Sequence, residues 1–406
     1  MTPFQAKGPA RLSPLILGVL EQIRSEPWGA RSEGNAAAVA ALSRVFTKER
    51  AALGEPYLDD PDLAAAYLSY FLPVNLSKIQ VLLDELPEDW PESHQGHPLR
   101  VLDVGSGPGT GALAVLDWIN QHRSDRAKGL TVVAVDSSAD ALNRAGQLWS
   151  SYCGRAGLVE ADLTTCEGNL VRSWNRGWHD EATQRAPYDL IILANCLNEL
   201  FAQADNSSEE GADLIAKLLP LLTPHGTMMI VEPALRETSR ALHQLRDRLL
   251  QEKRCTVYSP CLHEGNCPAL ANPHDWCHEE RPWEAPAAIQ QIDEEVGFIK
   301  DALKFSYLLL RKDGKTIVER QFDCYRVVSE LRELKGEKRA WLCNEQGRQE
   351  VGRQDRMVSP QNAAFDRWHR GAIVQIEKIV RKERGGKVSS LGRIERNAAV
   401  GIIRPV

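Results

Sequence analysis

The strongest constraint on the fold lies in residues 99–120. An apolar run, 99–104, ends in Asp103-Val-Gly105-Ser-Gly107-Pro-Gly109 and leads into a helical pattern over 111–120. A strand that stops in three glycines and restarts as a helix offers backbone N–H groups that can approach a ligand closely, at a helix N-terminus that favours negative charge. The alternation continues. Apolar runs at 130–135, 157–159, 188–193 and 227–231 read as strands, with helical patterns at 139–150 and 211–222 between them. Continuous apolar strands with helical crossovers predict an α/β, doubly wound parallel sheet.

Two ligand chemistries fit the glycine loop. Gly107, Gly109 and Ala112 satisfy the G-x-G-x-x-A spacing of a dinucleotide-binding turn. Asp103 favours another reading, because a carboxylate there repels a pyrophosphate but accepts a hydrogen bond from the amino group of a methionine moiety. This pattern resembles the first motif of class I S-adenosylmethionine (SAM) methyltransferases. The resemblance implies that Asp136, closing the second strand, grips both ribose hydroxyls, although dinucleotide enzymes also place an acid there. It implies too that Asp162, placed after the third strand, contacts the adenine amino group. The cofactor set is then Asp103, Gly105, Gly107, Gly109, Asp136, Asp162 and Asn195. Taken singly, each aspartate serves equally well as a helix cap or turn residue.

No catalytic residue emerges. After the fourth strand, amino-methylating enzymes of that class carry an Asp/Asn-Pro-Pro-aromatic tetrad, whereas this chain reads Asn195-Cys196-Leu-Asn198-Glu199-Leu200, with no aromatic before Phe201. Cys196 lacks the preceding proline of cytosine-carbon methylases and reads as a buried, inert thiol. Asn198 and Glu199 either face a substrate or cap the next helix.

The nine cysteines are an odd number in a 406-residue chain. This suits a reducing compartment rather than a disulfide framework. Cys261, Cys267 and Cys277 form C-x5-C-x9-C in a segment rich in proline and histidine, with little periodicity. Thiolates so spaced can converge on a metal, whose binding supplies ordering free energy that no apolar core provides there. The spacing leaves zinc, an iron–sulfur cluster and no metal all open. Candidates for a fourth ligand are Cys343, just before a tight turn, Cys255, Cys324, His263, His274 and His278. Histidine would favour zinc.

The order of these features resembles a family: a class I core, a Pro-Cys…Cys-Pro…Asp-Trp-Cys-His loop after the fifth strand, Lys304-Phe305-Ser306-Tyr307-Leu308, and a cysteine turn at Cys343. It is similar to the Rsm-type small-ribosomal-subunit methyltransferase-like family, found in bacteria and as an assembly factor of the mitochondrial small subunit. The resemblance implies a four-iron four-sulfur cluster on Cys261, Cys267, Cys277 and Cys343, and binding to small-subunit ribosomal RNA during assembly. One departure is that the second cysteine gap is long.

The expected organisation has five parts. Residues 1–95 form a helical region, with helices at 35–46, 62–71 and 76–86, a break at Pro73 and a linker through Pro87, Pro91 and Gly96. A SAM-binding core covers 96–254, a cysteine metal loop 255–300, remaining strands of the core sheet 301–336, and a small β-rich extension with a basic tail 337–406. The formal charge of −6 divides unevenly. Residues 366–406 hold ten basic and four acidic residues, a net of +6, and the rest carries −12. Arg381, Lys382, Arg384 and Lys387 in that tail are the candidate RNA contacts, because cations near phosphate dominate affinity. No run approaches the roughly 18 apolar residues of a membrane-spanning helix.

The function expected is a SAM-binding, iron–sulfur factor on small-subunit RNA, without committed methyl transfer. The alternative is an active rRNA methyltransferase with a structural zinc or iron–sulfur site. The protein is expected in the bacterial cytoplasm, monomeric off the ribosome. Lys7 and Arg11, with no acid in the first twenty residues, keep a mitochondrial transit peptide as the other option.

Overall fold

The computed structural model describes residues 8–25, 35–49, 57–90, 98–123, 129–170, 177–202, 204, 206–298 and 301–405. Lys7, Pro91 and Gly96 lie outside the described residues. The N-terminal region is helical as expected: α1 (Pro14–Ser25), α2 (Asn35–Thr47), α3 (Pro61–Ala66) and α4 (Leu72–Leu83). Pro73 does not break the path. A π-helical segment, Tyr67–Phe71, joins α3 to α4, and Pro73 falls in the first turn of α4, where its missing N–H leaves no intrahelical bond unmade. Leu76, Ile79 and Leu82 of α4 are fully buried. Each such side chain contributes about 1.5–3 kcal/mol relative to exposure.

The core sheet begins with β1 (Arg100–Val104), α5 (Thr110–His122), β2 (Thr131–Asp136), α6 (Ala139–Ala156), β3 (Asp162–Glu167), α7 (Trp178–Gln184) and β4 (Tyr188–Ala194). It continues through α8 (Leu197–Leu200), α9 (Ser207–Leu218), β5 (Leu222–Pro233), α10 (Arg236–Gln251), β6 (Thr256–Ser259), β7 (Glu279–Pro282), α11 (Ala287–Val296) and β8 (Ala302–Arg311). Strand order is β3-β2-β1-β4-β5-β8-β6, with β7 also pairing β8. Strands β1 to β5 pair in parallel, and their apolar runs are buried on both faces, as a sheet covered by helices requires. The expectation of an all-parallel sheet needs correction at one edge: β8 runs antiparallel to β5, β6 and β7.

Three other expectations change. Residues 157–159 are not a strand; α6 runs to Ala156 and Gly157 caps it at φ 68°. The third strand starts five residues later, at Asp162. Among the residues expected to complete the core sheet, β9 (Cys324–Val327) instead joins a second sheet with β10 (Arg332–Leu334), β11 (Glu337–Asn344), β12 (Gly347–Gln354), β13 (Ile373–Ile376), β14 (Val380–Arg384), β15 (Lys387–Arg393) and β16 (Val400–Arg404). The basic tail is therefore folded: β14 and β15 form a hairpin, and β15 pairs in parallel with β12. Tyr325, Leu342, Phe365, Trp368 and Val374 lie in the core of this second unit.

Candidate functional site

The glycine loop sits at the carboxyl end of β1. Gly105 and Ser106 donate backbone N–H groups to Val135 O of β2, at 2.9 and 3.0 Å. Gly105, Gly107 and Gly109 all have positive φ. Asp103 is buried, and its Oδ2 accepts the Ala112 N–H at 2.8 Å, so the carboxylate caps α5. A Cβ on Gly111 would meet Asp103 Oδ1 at 2.5 Å, which explains why glycine follows Thr110. Burial is the largest cause that pushes the Asp103 carboxyl up to about 7; the Ala112 N–H opposes it and Asp136 adds to it. Asp136 clamps the loop from the other side, accepting the Gly107 N–H at 2.8 Å and the Ser138 N–H at 2.9 Å. Burial raises its carboxyl as well, against those N–H groups.

Asn195 follows β4 with φ 58° and donates its N–H to Val231 O at 2.7 Å. Asp103, Asp136, the glycines and Asn195 thus gather at one edge of the sheet. Asp162 does not. It opens β3, is exposed, and pairs with Thr131 at the start of β2, whereas Glu167 stands opposite Asp136. At roughly 3.3 Å per residue it is on the order of 16 Å from the loop edge, because the third strand begins where the sequence suggested it had ended.

The N-terminal helices cover the loop, which the sequence did not reveal. Ser138 Oγ donates to Asp59 Oδ1 at 2.6 Å, Arg144 Nη1 donates to Leu58 O at 2.6 Å, and Tyr57 OH lies 3.5 Å from both Glu199 carboxylate oxygens. Burial pushes the Tyr67 hydroxyl up to about 12. Cys196 packs against the loop so closely that a Cβ on Gly105 would fall 2.6 Å from its own. Burial, with Glu232 and Glu199 adding, raises its thiol well above the ordinary range, so it stays protonated and unreactive.

The second site is built by two sheets. Cys261, Cys267 and Cys277 of the inserted segment and Cys343 of β11 line one cavity, together with His243, His263, His278, Ser306, Tyr307 and Arg326. Among the described residues no three His, Cys, Asp or Glu side chains are drawn together as a ligand set for a single ion. The four thiols ring the space rather than meet in it. Cys255 and Cys324 do not line it; Cys324 packs with Leu262 and Ile373. His274 is likewise absent from its wall, and His278 is engaged with Glu280 at 3.0 Å. Burial raises the Cys343 thiol well above the ordinary range, and Cys261, Cys277 and Cys267 raise it further, which records how near one another these sulfurs stand.

One face of α10 organises this loop. Arg240 Nη1 donates to Ala269 O, Asn272 O and Asp275 O at 3.1, 2.8 and 2.8 Å. His243 Nε2 donates to Cys277 O at 3.2 Å, and Arg246 donates to Gly265 O and His263 O. Asp247 Oδ2 accepts the Cys267 N–H at 2.8 Å. The signal was available as a charged helix with Arg240, His243 and Arg246 three residues apart, on one face. The Phe-Ser-Tyr-Leu motif acts here too. Ser306 Oγ donates to Cys277 O at 3.1 Å, while Tyr307 OH donates to Glu85 Oε2 at 2.7 Å.

The proposed RNA contacts fall on the β14–β15 hairpin. Arg381 is turned inward, donating to Ser389 O at 3.1 Å and Gln349 Oε1 at 2.5 Å, so it is at least partly structural. Lys382 and Lys387 are exposed. The side chain of Arg384 lies outside the described residues.

No curated protein matches the chain. Similar solved structures include the plantazolicin methyltransferase BpumL with SAH, 14% identical, with 72% of this chain and 99% of that chain covered and a TM-score of 0.31. The mitomycin 7-O-methyltransferase MmcR is 15% identical over 64% and 71% of the two chains, at TM-score 0.33. A SAM-dependent methyltransferase from Leishmania major is 12% identical over 73% and 91%, at TM-score 0.35. The fold assignment rests on the strand order, the antiparallel strand between β5 and β6, and the glycine loop after β1: it is class I SAM-methyltransferase-like. Residues 61–352, from α3 through the cysteine loop to β12, match the family described as mitochondrial small ribosomal subunit Rsm22, and the chain belongs to that family.

Proposed function

We propose that the protein is a SAM-binding, iron–sulfur-containing factor that acts on small-ribosomal-subunit RNA during assembly. The observation that carries this reading is the cavity ringed by Cys261, Cys267, Cys277 and Cys343. Four thiols around a space suit a group with volume of its own. A single zinc ion, with Zn–S of about 2.3 Å, would instead draw the sulfurs into mutual contact. When bound, a four-iron four-sulfur cluster supplies the positive core that lets four thiolates share one buried site. Cys343 would then tie the second sheet to the inserted segment.

At the glycine loop, Asp103 and Asp136 leave further lone-pair directions on their oxygens after capping the backbone. With Glu199 nearby, they make an acidic rim that suits the sulfonium and ammonium charges of SAM. Asp103, Asp136, the three glycines and Asn195 are the cofactor residues of this reading. Methyl transfer is not part of it, because the segment after β4 offers a protonated, buried Cys196 and no Pro-Pro-aromatic tetrad. Lys382 and Lys387, exposed on a hairpin within the +6 segment, are placed to meet phosphate. A reducing compartment, taken as the bacterial cytoplasm, fits nine cysteines that are all free.

RNA crosslinked to the full chain in cells tests the partner. Strong enrichment of small-subunit rRNA is expected, and recovery in proportion to total RNA would contradict the reading. In a deletion strain the rRNA methylation map should be unchanged; a lost methyl group would favour the active enzyme.

A further inference from the structure

The wall of the cysteine cavity contains a buried cation. Arg246 of α10 has a side chain that is 0% exposed. Its Nη1 donates to Gly265 O at 2.7 Å and Asp247 Oδ1 at 2.5 Å, and its Nη2 to His263 O at 2.5 Å. Its Nε–H is buried with no acceptor among the described residues. A buried guanidinium with an unused donor is costly unless an anion completes its shell. Asp247 supplies one negative charge, yet its other oxygen is committed to the Cys267 N–H. The remaining anions in reach are sulfurs. Cys261 and Cys267 favour the charged form of Arg246, while Arg246 in turn opposes the upward push of burial on both thiols.

An oxidised four-iron four-sulfur cluster on four thiolates is a dianion, and one electron makes it a trianion. A fixed cation beside Cys261 stabilises the trianion more than the dianion. We propose that Arg246 is a positioning residue that sets the reduction potential of the cluster, by donating to the sulfur of Cys261 and countering the charge of the reduced form. The step is a one-electron transfer from a reductant such as dithionite into the iron core; no bond to the protein forms or breaks. This inference rests on the iron–sulfur reading above.

The test is a potentiometric titration, followed by electron paramagnetic resonance, on full-length protein purified without oxygen. Wild type is compared with Arg246→Met, Arg246→Lys and Asp247→Asn. Arg246→Met should shift the reduction equilibrium toward the oxidised form by about tenfold or more, which is 59 mV for a one-electron couple. Asp247→Asn removes a neighbouring negative charge and should shift it the other way, with Arg246→Lys nearer wild type. A general loosening of the loop would move the Met and Asn variants in the same direction and would overturn the proposal, as would equal potentials in wild type and Arg246→Met. Should Arg246→Met lose its cluster, unchanged potentials in both Arg246→Lys and Asp247→Asn overturn it. A wild type without iron and sulfide is a failure of the iron–sulfur reading itself, visible before any variant is compared, and the proposal falls with it.

Discussion

At Gly105 the φ of 68° and the 2.6 Å approach to Cys196 leave no room for a side chain. Gly105→Ala should cost about 1–3 kcal/mol from strain and overpacking, read as a lower denaturant midpoint, and should weaken SAM binding by moving the loop. Asp103 gives a pH prediction with a definite sign. Its folded-state carboxyl, raised from 3.8 to about 7, binds a proton that the unfolded chain releases, so the stability of the unliganded protein falls as pH rises from about 4 to about 7. A cationic cofactor that binds the ionised form reverses this locally. Calorimetric SAM affinity should therefore rise between pH 6 and 8, and Asp103→Asn should flatten the rise; an identical slope in the variant would contradict the assignment. These residues were legible because spacing fixed them: three glycines and an acid at the end of an apolar strand. Asp162 was not, because residues 157–159 carry a strand-like Val159 that is 93% exposed, and Gly157 there ends a helix.

Among the elements, α10 gives most of the order in the cysteine loop. Arg240 holds three carbonyls of the loop, and charged hydrogen bonds of this kind are worth about 1.5–3 kcal/mol each before compensation by water. Arg240→Ala should lower local stability by about 2–3 kcal/mol, detected as faster amide exchange in residues 267–277, with strands β1 to β5 unchanged. Exchange that rises equally in the core strands would point to global destabilisation instead. The sequence marked this helix as charged but gave no reason to aim its face at the cysteines, since helical spacing does not name the partner of a face. The C-terminal hairpin was hidden by its charge. Gly385 and Gly386 both have positive φ, as a two-residue hairpin turn requires, and that Gly-Gly pair was the available signal.

The whole molecule is joined by a buried ionic network behind the cysteine cavity. Glu85, beyond α4, accepts from Arg281 of β7 at 2.5 Å, from Tyr307 of β8 at 2.7 Å and from Ser259 of β6 at 2.6 Å. Arg326 of the second sheet lies 3.7 Å from it and also pairs with Glu279. Burial works to raise the Glu85 carboxyl, but Arg326, Arg281 and Arg404 override it and hold it at about 2. Its folded value is depressed, so its contribution is present above about pH 4.5 and is lost as pH falls toward 2. Glu85→Gln leaves two buried guanidinium groups under-compensated and should cost about 3–5 kcal/mol, while removing part of the acid sensitivity in that window; an unchanged acid unfolding curve would argue against the role. Such long-range pairings, spanning up to 222 residues, leave no local trace in sequence, whereas the strand–helix alternation of the core does.

Cys343 arrives in the cavity from the second sheet, so the central claim concerns the molecule as a unit: four cysteines from two sheets hold one iron–sulfur cluster. Iron and acid-labile sulfide in anaerobically purified full-length protein, with its absorbance spectrum, measure this most directly. The account predicts a brown protein with close to four iron and four sulfide per chain, lost in Cys343→Ser; a colourless, well-folded protein carrying stoichiometric zinc and no sulfide would contradict it.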